Sequence, residues 1–439
     1  MAVHVTVIGT GYLGATQAAC LAESGCRVLG VDTDEEKVRA LQAGGVPFYE
    51  PGLQELVARH VATGALRFTT SFAEAADFGE VHFLCVGTPQ RADGLDADLG
   101  ALYAAVAALV PLLRRQCLVV GKSTVPAGTA ERLAPLLATA PAGGDVDLAW
   151  NPEFLREGHA VRDTLRPDRI VAGVRSELAE KVLRGVYAAQ LDAGVPFVVT
   201  DLATAQLVKV AANAFLATRV SLMNAMADLC ESAGADVLSL VQAVGHDQRI
   251  GAHYLHPGLG FGGGCLGKDI RALQAQAHRL GLEPVAGLLA HVDEINTARR
   301  GQVVRLAGEL CGGSVAARRV GVLGAAFKPD SDDVRDSPAL DVAHRLHEAG
   351  AVVAVYDPAA RANAQRSHPW LQHVGSAAEA AAGADVLLHL TEWEEFRALD
   401  PDDLGGRVAH RRIVDARNAL DADRWRLSGW QFRGLGRPA

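Results

Sequence analysis

Residues 3–8 form a nearly continuous apolar run that breaks directly into Gly9-Thr10-Gly11-Tyr12-Leu13-Gly14. An unbroken run of that length is what a strand buried on both faces of a parallel sheet requires. Similar runs return at 27–31, 81–86, 118–122 and 146–150, separated by alanine-rich stretches of helical character. That alternation predicts a doubly wound α/β lobe ending near residue 201. From 202 to about 233 there is neither proline nor glycine, and apolar residues recur at intervals of three and four, which predicts one long helix. Shorter helices are expected up to about residue 300. Beyond Gly312-Gly313 the runs at 319–323, 352–357, 385–390 and 412–415 predict a second sheet.

The fold class read from this pattern is α/β, with two Rossmann-like lobes joined by a long central helix. The expected domains are 1–201, 202–300 and 301–439. The middle helix far exceeds the usual length in globular domains, so it is expected to pack against a second copy of the chain.

Composition narrows the partners. With 439 residues and a formal net charge of −9, the chain offers no basic surface to hold a polyanion, which argues against nucleic acid. The most apolar helical stretch, 101–113, contains Pro111 and falls short of the roughly 20 residues of a membrane span, so no membrane partner is expected. The apolar start has no basic region before it and reads as a strand, not an export signal. Seven scattered cysteines without CxxC spacing point to reduced thiols, a cytoplasmic setting and no metal site.

The Gly9–Gly14 fingerprint closes a strand and opens a helix, the context in which glycines let a pyrophosphate approach a helix N-terminus. Gly9, Gly11, Tyr12, Leu13 and Gly14 are therefore candidate cofactor residues. Asp32 ends the second strand, where a carboxylate accepts from the adenosine ribose and repels a 2′-phosphate, so NAD is preferred over NADP. Lys37 either reaches the cofactor or is an exposed helix lysine. Val86-Gly87-Thr88-Pro89 and Ser123-Thr124-Val125-Pro126 put the hydroxyls of Thr88, Ser123 and Thr124 at the carboxyl edge of the sheet, where such folds bind ligands. Asn151-Pro152-Glu153-Phe154-Leu155-Arg156-Glu157-Gly158 adds two carboxylates four residues apart, on one face if the segment is helical.

The second chemical centre is Gly258 to Asp269, reading GLGFGGGCLGKD. Cys265 lies between a glycine-rich loop and a helix expected to begin near Lys268. A helix start and a lysine both favour thiolate over thiol, and the glycines leave backbone open to a bulky ligand. Lys209 and Asn213, at i and i+4 of the long helix, form an ammonium and carboxamide pair suited to a developing oxyanion. Asp269, one turn beyond the thiol, either orients water or complements the helix dipole.

Taken in order, GTGYLG, Asp32, Glu50-Pro51-Gly52-Leu53, VGTP, STVPAGT, NPEFLREG, LVKVAANAFLATRVS, DQRIG, GFGGGCLGKD, AAFKPDSDDVRDSPA and DARN resemble the nucleotide-sugar 6-dehydrogenases. The resemblance covers nearly the whole chain. It implies oxidation of a sugar C6 alcohol to a carboxylate with two NAD, UDP-glucose being the expected substrate and UDP-glucuronate the product. Cys265 matches the nucleophile that carries a thiohemiacetal and then a thioester. Lys209 and Asn213 match oxyanion-stabilising residues, and Thr124, Glu153 and Asp269 match those that position water and relay protons. Ser123, Glu157 and Lys268 match positions lining the cofactor, and Arg335 matches a second-lobe contact to NAD.

For the substrate, the resemblance implicates Glu153, Phe154, Leu155, Lys209 and Asn213, the loop residues Tyr254, Leu255, His256, Gly258, Gly260, Phe261 and Gly262, and Phe327, Lys328 and Arg417. Arg249 matches an arginine that reaches the sugar from the neighbouring subunit, so a homodimer is implied. Gln206, Arg219 and Ala225 depart from residues frequent in bacterial members, though none is an expected catalytic group. The sequence leaves three other readings: the same chemistry on dTDP-glucose, GDP-mannose or a UDP-N-acetylhexosamine, a two-electron dehydrogenase, and a non-catalytic binding module.

Overall fold

The computed structural model describes residues 2–142 and 145–438, and it divides into two compact units, Met1–Ala212 and Asn213–Ala439. The first is built on an eight-stranded sheet of β1 (His4–Ile8), β2 (Arg27–Val31), β3 (Leu66–Thr69), β4 (Val81–Leu84), β5 (Cys117–Gly121), β6 (Val146–Trp150), β7 (Ile170–Gly173) and β8 (Phe197–Thr200). Its order is β3-β2-β1-β4-β5-β6-β7-β8, parallel except where β6 meets β7. Chain order reverses between β1 and β4, which opens a crevice beyond the strand ends where the Gly9–Gly14 turn begins.

Apolar side chains on both faces explain the continuous runs in the sequence. Val5, Val7, Val28 and Phe83 pack under the helices Tyr12–Glu23 and Leu53–Ala62, while Ile8, Leu84 and Val119 pack under Gly100–Leu109 and Thr129–Leu137. Strand β5 ends at Gly121, so Lys122, expected inside the strand, lies just past it. Three strands of this sheet, β3, β7 and β8, went unrecognised; each is four residues long, and β8 has no fully buried position.

The predicted long helix is present as Leu202–Ala233, 32 residues, and the division between the two units falls inside it. Within the first unit, Gln206, which departs from the family pattern, accepts hydrogen bonds from Thr129 N (3.0 Å) and Ala130 N (3.2 Å), so a neutral amide meets the start of the helix Thr129–Leu137. In the second unit, Ala217 on the same helix packs with Ile270, Leu289 and Val292. On the opposite side Phe215, Leu222 and Leu229 are exposed at seven-residue intervals.

The helices that follow are Val237–Gly245, Leu266–Arg279 and Glu283–Leu310. The last, at 28 residues, corrects the expectation of short helices ending near 300. Its proline lies in the first turn, where a missing N–H costs nothing, and therefore starts the helix instead of breaking it. The second sheet is wholly parallel, in the order β11 (Gln372–His373), β10 (Val352–Tyr356), β9 (Arg319–Leu323), β12 (Val386–His389), β13 (Arg412–Asp415) and β14 (Gln431–Gly434). Leucines, valines and alanines from both faces form its core.

Candidate active site

In the first unit the glycine turn has the shape a dinucleotide requires. Gly9 has φ +87°, and a Cβ on Gly14 would lie 1.7 Å from the Gly9 carbonyl oxygen, so only glycine permits this close return of the chain. A Cβ on Gly11 would meet nothing within 4 Å, leaving space before the helix that starts at Tyr12. Asp32 Oδ2 accepts from Thr10 N at 2.8 Å and from Lys37 Nζ at 2.9 Å. Burial raises this carboxyl, but the bonds from Lys37, Asp34 N and Thr10 N outweigh burial and hold it below the usual range. It therefore stays an anion beside the turn. Lys37 is anchored on Asp32 and is not a solvated helix lysine. These residues fit an NAD adenosine and pyrophosphate.

Hydroxyl groups join the ends of β4 and β5. Ser123 Oγ donates to Val86 O at 2.6 Å, and Thr88 Oγ1 donates to Thr124 O at 2.7 Å. The segment from Asn151 to Arg156 is not helical, so Glu153 and Glu157 do not share a helix face. The proline after Asn151 disfavours helix there. Glu153 folds back instead: Oε2 accepts from Leu155 N at 2.8 Å, and Oε1 pairs with Lys209 Nζ at 3.0 Å. Both side chains of that pair are nearly buried, so Lys209 is a placed cation and not a snorkelling one. The Phe154 ring lies 3.8 Å from the Arg169 guanidinium carbon and 5.8 Å from Lys209 Nζ. Leu155 and Glu157 are half-buried.

In the second unit Cys265 is itself the N-cap of the helix Leu266–Arg279, which thus begins two residues before the expected Lys268. Of the seven cysteines, six are buried and Cys265 is exposed. Its carbonyl accepts from Asp269 N at 2.9 Å. The buried Asp269 carboxylate accepts from Lys268 Nζ at 2.6 Å and from Asn213 Nδ2 at 2.7 Å. Asn213, Lys268 and Asp269 are thus gathered one helical turn from the thiol.

The glycines before Cys265 do not all face open space, which corrects the reading that they clear backbone for a ligand. A Cβ on Gly262 would lie 2.2 Å from Asp336 O, and one on Gly263, at φ +83°, would lie 2.7 Å from the Phe327 ring. The loop is glycine-rich chiefly because the 327–338 segment packs on it. Arg335 joins this contact through its carbonyl, which accepts from Gly263 N at 3.0 Å, while its side chain pairs with Asp333. Arg417 donates to Gly260 O (2.9 Å), Leu390 O (2.7 Å) and Phe327 O (3.3 Å), and its own carbonyl meets His256 Nε2 at 2.7 Å. Phe327 also lies beneath Lys328 Nζ at 5.5 Å.

Three further residues that the resemblance implicates precede Gly258 in the chain. Leu255 is buried, Tyr254 is exposed with φ +57°, and Arg249 is exposed and paired with Asp247 at 2.6 Å.

Sequence reasoning missed the supports. Buried Asn296 accepts from Phe261 N at 2.8 Å and donates to Phe261 O at 3.0 Å. Asn224 Oδ1 accepts from Gly258 N at 2.8 Å, and Arg299, buried and paired with Asp228, donates to Gly258 O. In the first unit, buried Lys122 donates to Asn151 Oδ1 at 2.9 Å and to Tyr187 Oη at 3.3 Å. For Asn224, Asn296 and Arg299 the available signal was a polar residue at a position of the helical period otherwise filled by apolar ones.

Residues 3–191, 203–298 and 321–422 match, in order, the NAD binding, central and UDP binding domains of the UDP-glucose/GDP-mannose dehydrogenase family. The chain belongs to that family, and its first domain is the NAD binding domain of an NAD-dependent oxidoreductase. It is 41% identical to a UDP-glucose 6-dehydrogenase of Rhizobium meliloti, over 99% of each chain. Among solved structures, a UDP-glucose dehydrogenase from Pyrobaculum islandicum matches with TM-score 0.92 and 36% identity, covering 100% of this chain and 98% of that one. A UDP-D-ManNAc dehydrogenase from Pyrococcus horikoshii matches with TM-score 0.86 and 27% identity over 99% of each chain.

Proposed function

We propose that this protein oxidises the C6 alcohol of UDP-glucose to a carboxylate, consuming two NAD and one water per sugar. The observation that carries the reading is an exposed Cys265 capping a helix whose first turn holds the buried Asp269, in a chain 41% identical to a UDP-glucose 6-dehydrogenase. Bound NAD supplies the hydride acceptor for both two-electron oxidations.

The chain's own groups handle the carbon and the protons. At the aldehyde stage the Cys265 thiolate forms an S–C bond to C6, and the carbonyl electron pair moves to oxygen. Lys209 and Asn213 stabilise that oxygen. After the second oxidation the same carbon is a thioester. Water adds to it, the C–S bond breaks, and the thiolate leaves with its electron pair as the acid is released. Thr124, Glu153 and Asp269 position the water and take up its protons. Ser123, Thr88, Glu157, Lys268 and Arg335 border the cofactor, while Phe154, Leu155, the 254–262 loop, Phe327, Lys328 and Arg417 hold the nucleotide sugar.

In this reading residues 1–201 bind NAD, 202–300 carry the thiol and the dimer contact, and 301–439 bind the UDP moiety. The dimer is supported by exposed Phe215, Leu222 and Leu229, a stripe suited to an identical helix. Arg249, exposed on the same unit, is the group assigned to the partner's sugar. The cytoplasm is the proposed compartment, because an exposed nucleophilic thiol needs reducing surroundings. The Pyrococcus structure supports a second reading, the same chemistry on a UDP-N-acetylhexosamine.

The test is a stoichiometry: limiting UDP-glucose with excess NAD, counting NADH at the end point. Two NADH per sugar are expected. One per sugar would reduce the enzyme to a two-electron dehydrogenase, and turnover only with other nucleotide sugars would overturn the substrate.

A further inference from the structure

The Glu50-Pro51-Gly52-Leu53 segment is left without a role by the proposed function, yet Glu50 is only 6% exposed and its carboxylate lies among the first unit's binding loops. Oε2 accepts from Gly158 N at 2.6 Å and from the Tyr12 hydroxyl. Oε1 accepts from Ala160 N at 2.7 Å. The Tyr12 oxygen in turn accepts from Gly158 N at 3.0 Å, and its ring packs on Phe48 with centroids 5.0 Å apart. Tyr12 is the first residue of the helix behind the glycine turn. Gly158, at φ +78°, closes the segment that carries Glu153, Phe154, Leu155 and Glu157. One buried carboxylate therefore joins the cofactor turn to the 151–158 loop.

We infer that Glu50 is a positioning residue that sets the NAD turn, through Tyr12, and the nucleotide-sugar loop, through Gly158 and Ala160, in one fixed relation. The inference rests on the proposed function for the identity of the second ligand. A carboxylate is required because both oxygens accept. The amide of glutamine would aim its N–H2 at a backbone N–H, so that either Ala160 N loses its acceptor or Gly158 N keeps only the Tyr12 oxygen. One loop would have to move, and the ligand bound on it would lose its prepared site.

The experiment uses the full-length enzyme and measures NADH affinity by fluorescence, UDP-glucose affinity by calorimetry, and thermal unfolding. Glu50→Gln is expected to weaken both ligands about tenfold or more, the equivalent of one buried hydrogen bond lost. Tyr12→Phe, which keeps both backbone bonds to Glu50, is expected to weaken NADH several-fold and leave UDP-glucose nearly unchanged. That split is not produced by a general loss of stability. Glu50→Gln binding both ligands as wild type does, whatever its unfolding temperature, would overturn the inference. If Glu50→Gln does not fold, unchanged NADH affinity in Tyr12→Phe overturns it. Wild-type enzyme that binds NADH but not UDP-glucose would refute the proposed substrate instead, and the NADH arm would still decide the role of Glu50.

Discussion

What separates Cys265 from the other thiols is solvent. Burial pushes Cys20 and Cys85 up to about 12, and Cys26 and Cys117 to about 11, so these four remain thiols at any physiological pH. Cys85 shows how strong the effect is: the Lys122 ammonium nearby lowers it without cancelling burial. The same logic makes His82 a liability in acid. Its ring is fully buried in the first sheet, with Nδ1 2.7 Å from Thr6 Oγ1, and burial, aided by the Arg115 charge, lowers it from 6.5 to about 4. Between those values the unfolded chain binds a proton that the folded chain refuses, so stability rises with pH across the window and is lost as pH falls from about 6.5 to about 4. The full effect is on the order of 3 kcal/mol. Denaturant unfolding of wild type and His82→Asn across pH 4 to 7.5 should show the wild-type advantage shrinking in acid, and a constant difference would contradict this account.

At the scale of the element, the thiol loop depends on helices that do not carry the thiol. Asn296 on the helix Glu283–Leu310 meets both backbone groups of Phe261, and a deletion of that side chain leaves an N–H and a C=O without partners in a partly buried place. Asn296→Ala should cost about 1–3 kcal/mol of stability and speed alkylation of Cys265 as the loop loosens, read by thermal unfolding and by thiol-labelling rates. Asn296→Ala with wild-type labelling would show that the loop is held by its glycine contacts alone. These supports mark where the sequence stops being legible. Val3 to Ile8 and the Gly9–Gly14 turn announce themselves because burial on two faces and a missing Cβ leave a local signature. Asn296 leaves only a polar side chain in its helical period and Glu50 leaves nothing local, since their partners lie 35 residues away and 38 to 110 residues away in the chain. The glycines of GLGFGGGC were legible as special, but what approaches them is Phe327 and Asp336, and that pairing is a property of the fold. Short strands such as β8 were missed for a related reason: four residues with half-exposed faces carry too little periodicity to separate strand from loop.

At the scale of the whole molecule, the proposed function makes catalysis a property of two chains. In a two-fold dimer each site would take Cys265 from one chain and Arg249 from the other. A homodimer of Arg249→Ala then has intact thiols without the arginine, and a homodimer of Cys265→Ser has the arginine without thiols, so both are impaired. Mixing the two and allowing subunit exchange produces a dimer in which one site receives Cys265 from the first chain and Arg249 from the second. The other site of the same dimer lacks both. Random exchange makes half the dimers mixed, each with one working site of two, so activity should recover to about a quarter of wild type. If Arg249 acts within its own chain, every site of every mixture lacks one of the two groups and nothing is recovered. Leu222→Glu, which puts a charge on the exposed stripe, supplies the control: added to both parents it should yield monomers in sedimentation and abolish the recovery. Recovery that persists in a monomer would contradict the shared site, and absence of recovery despite demonstrated exchange would place Arg249 outside the partner's reaction.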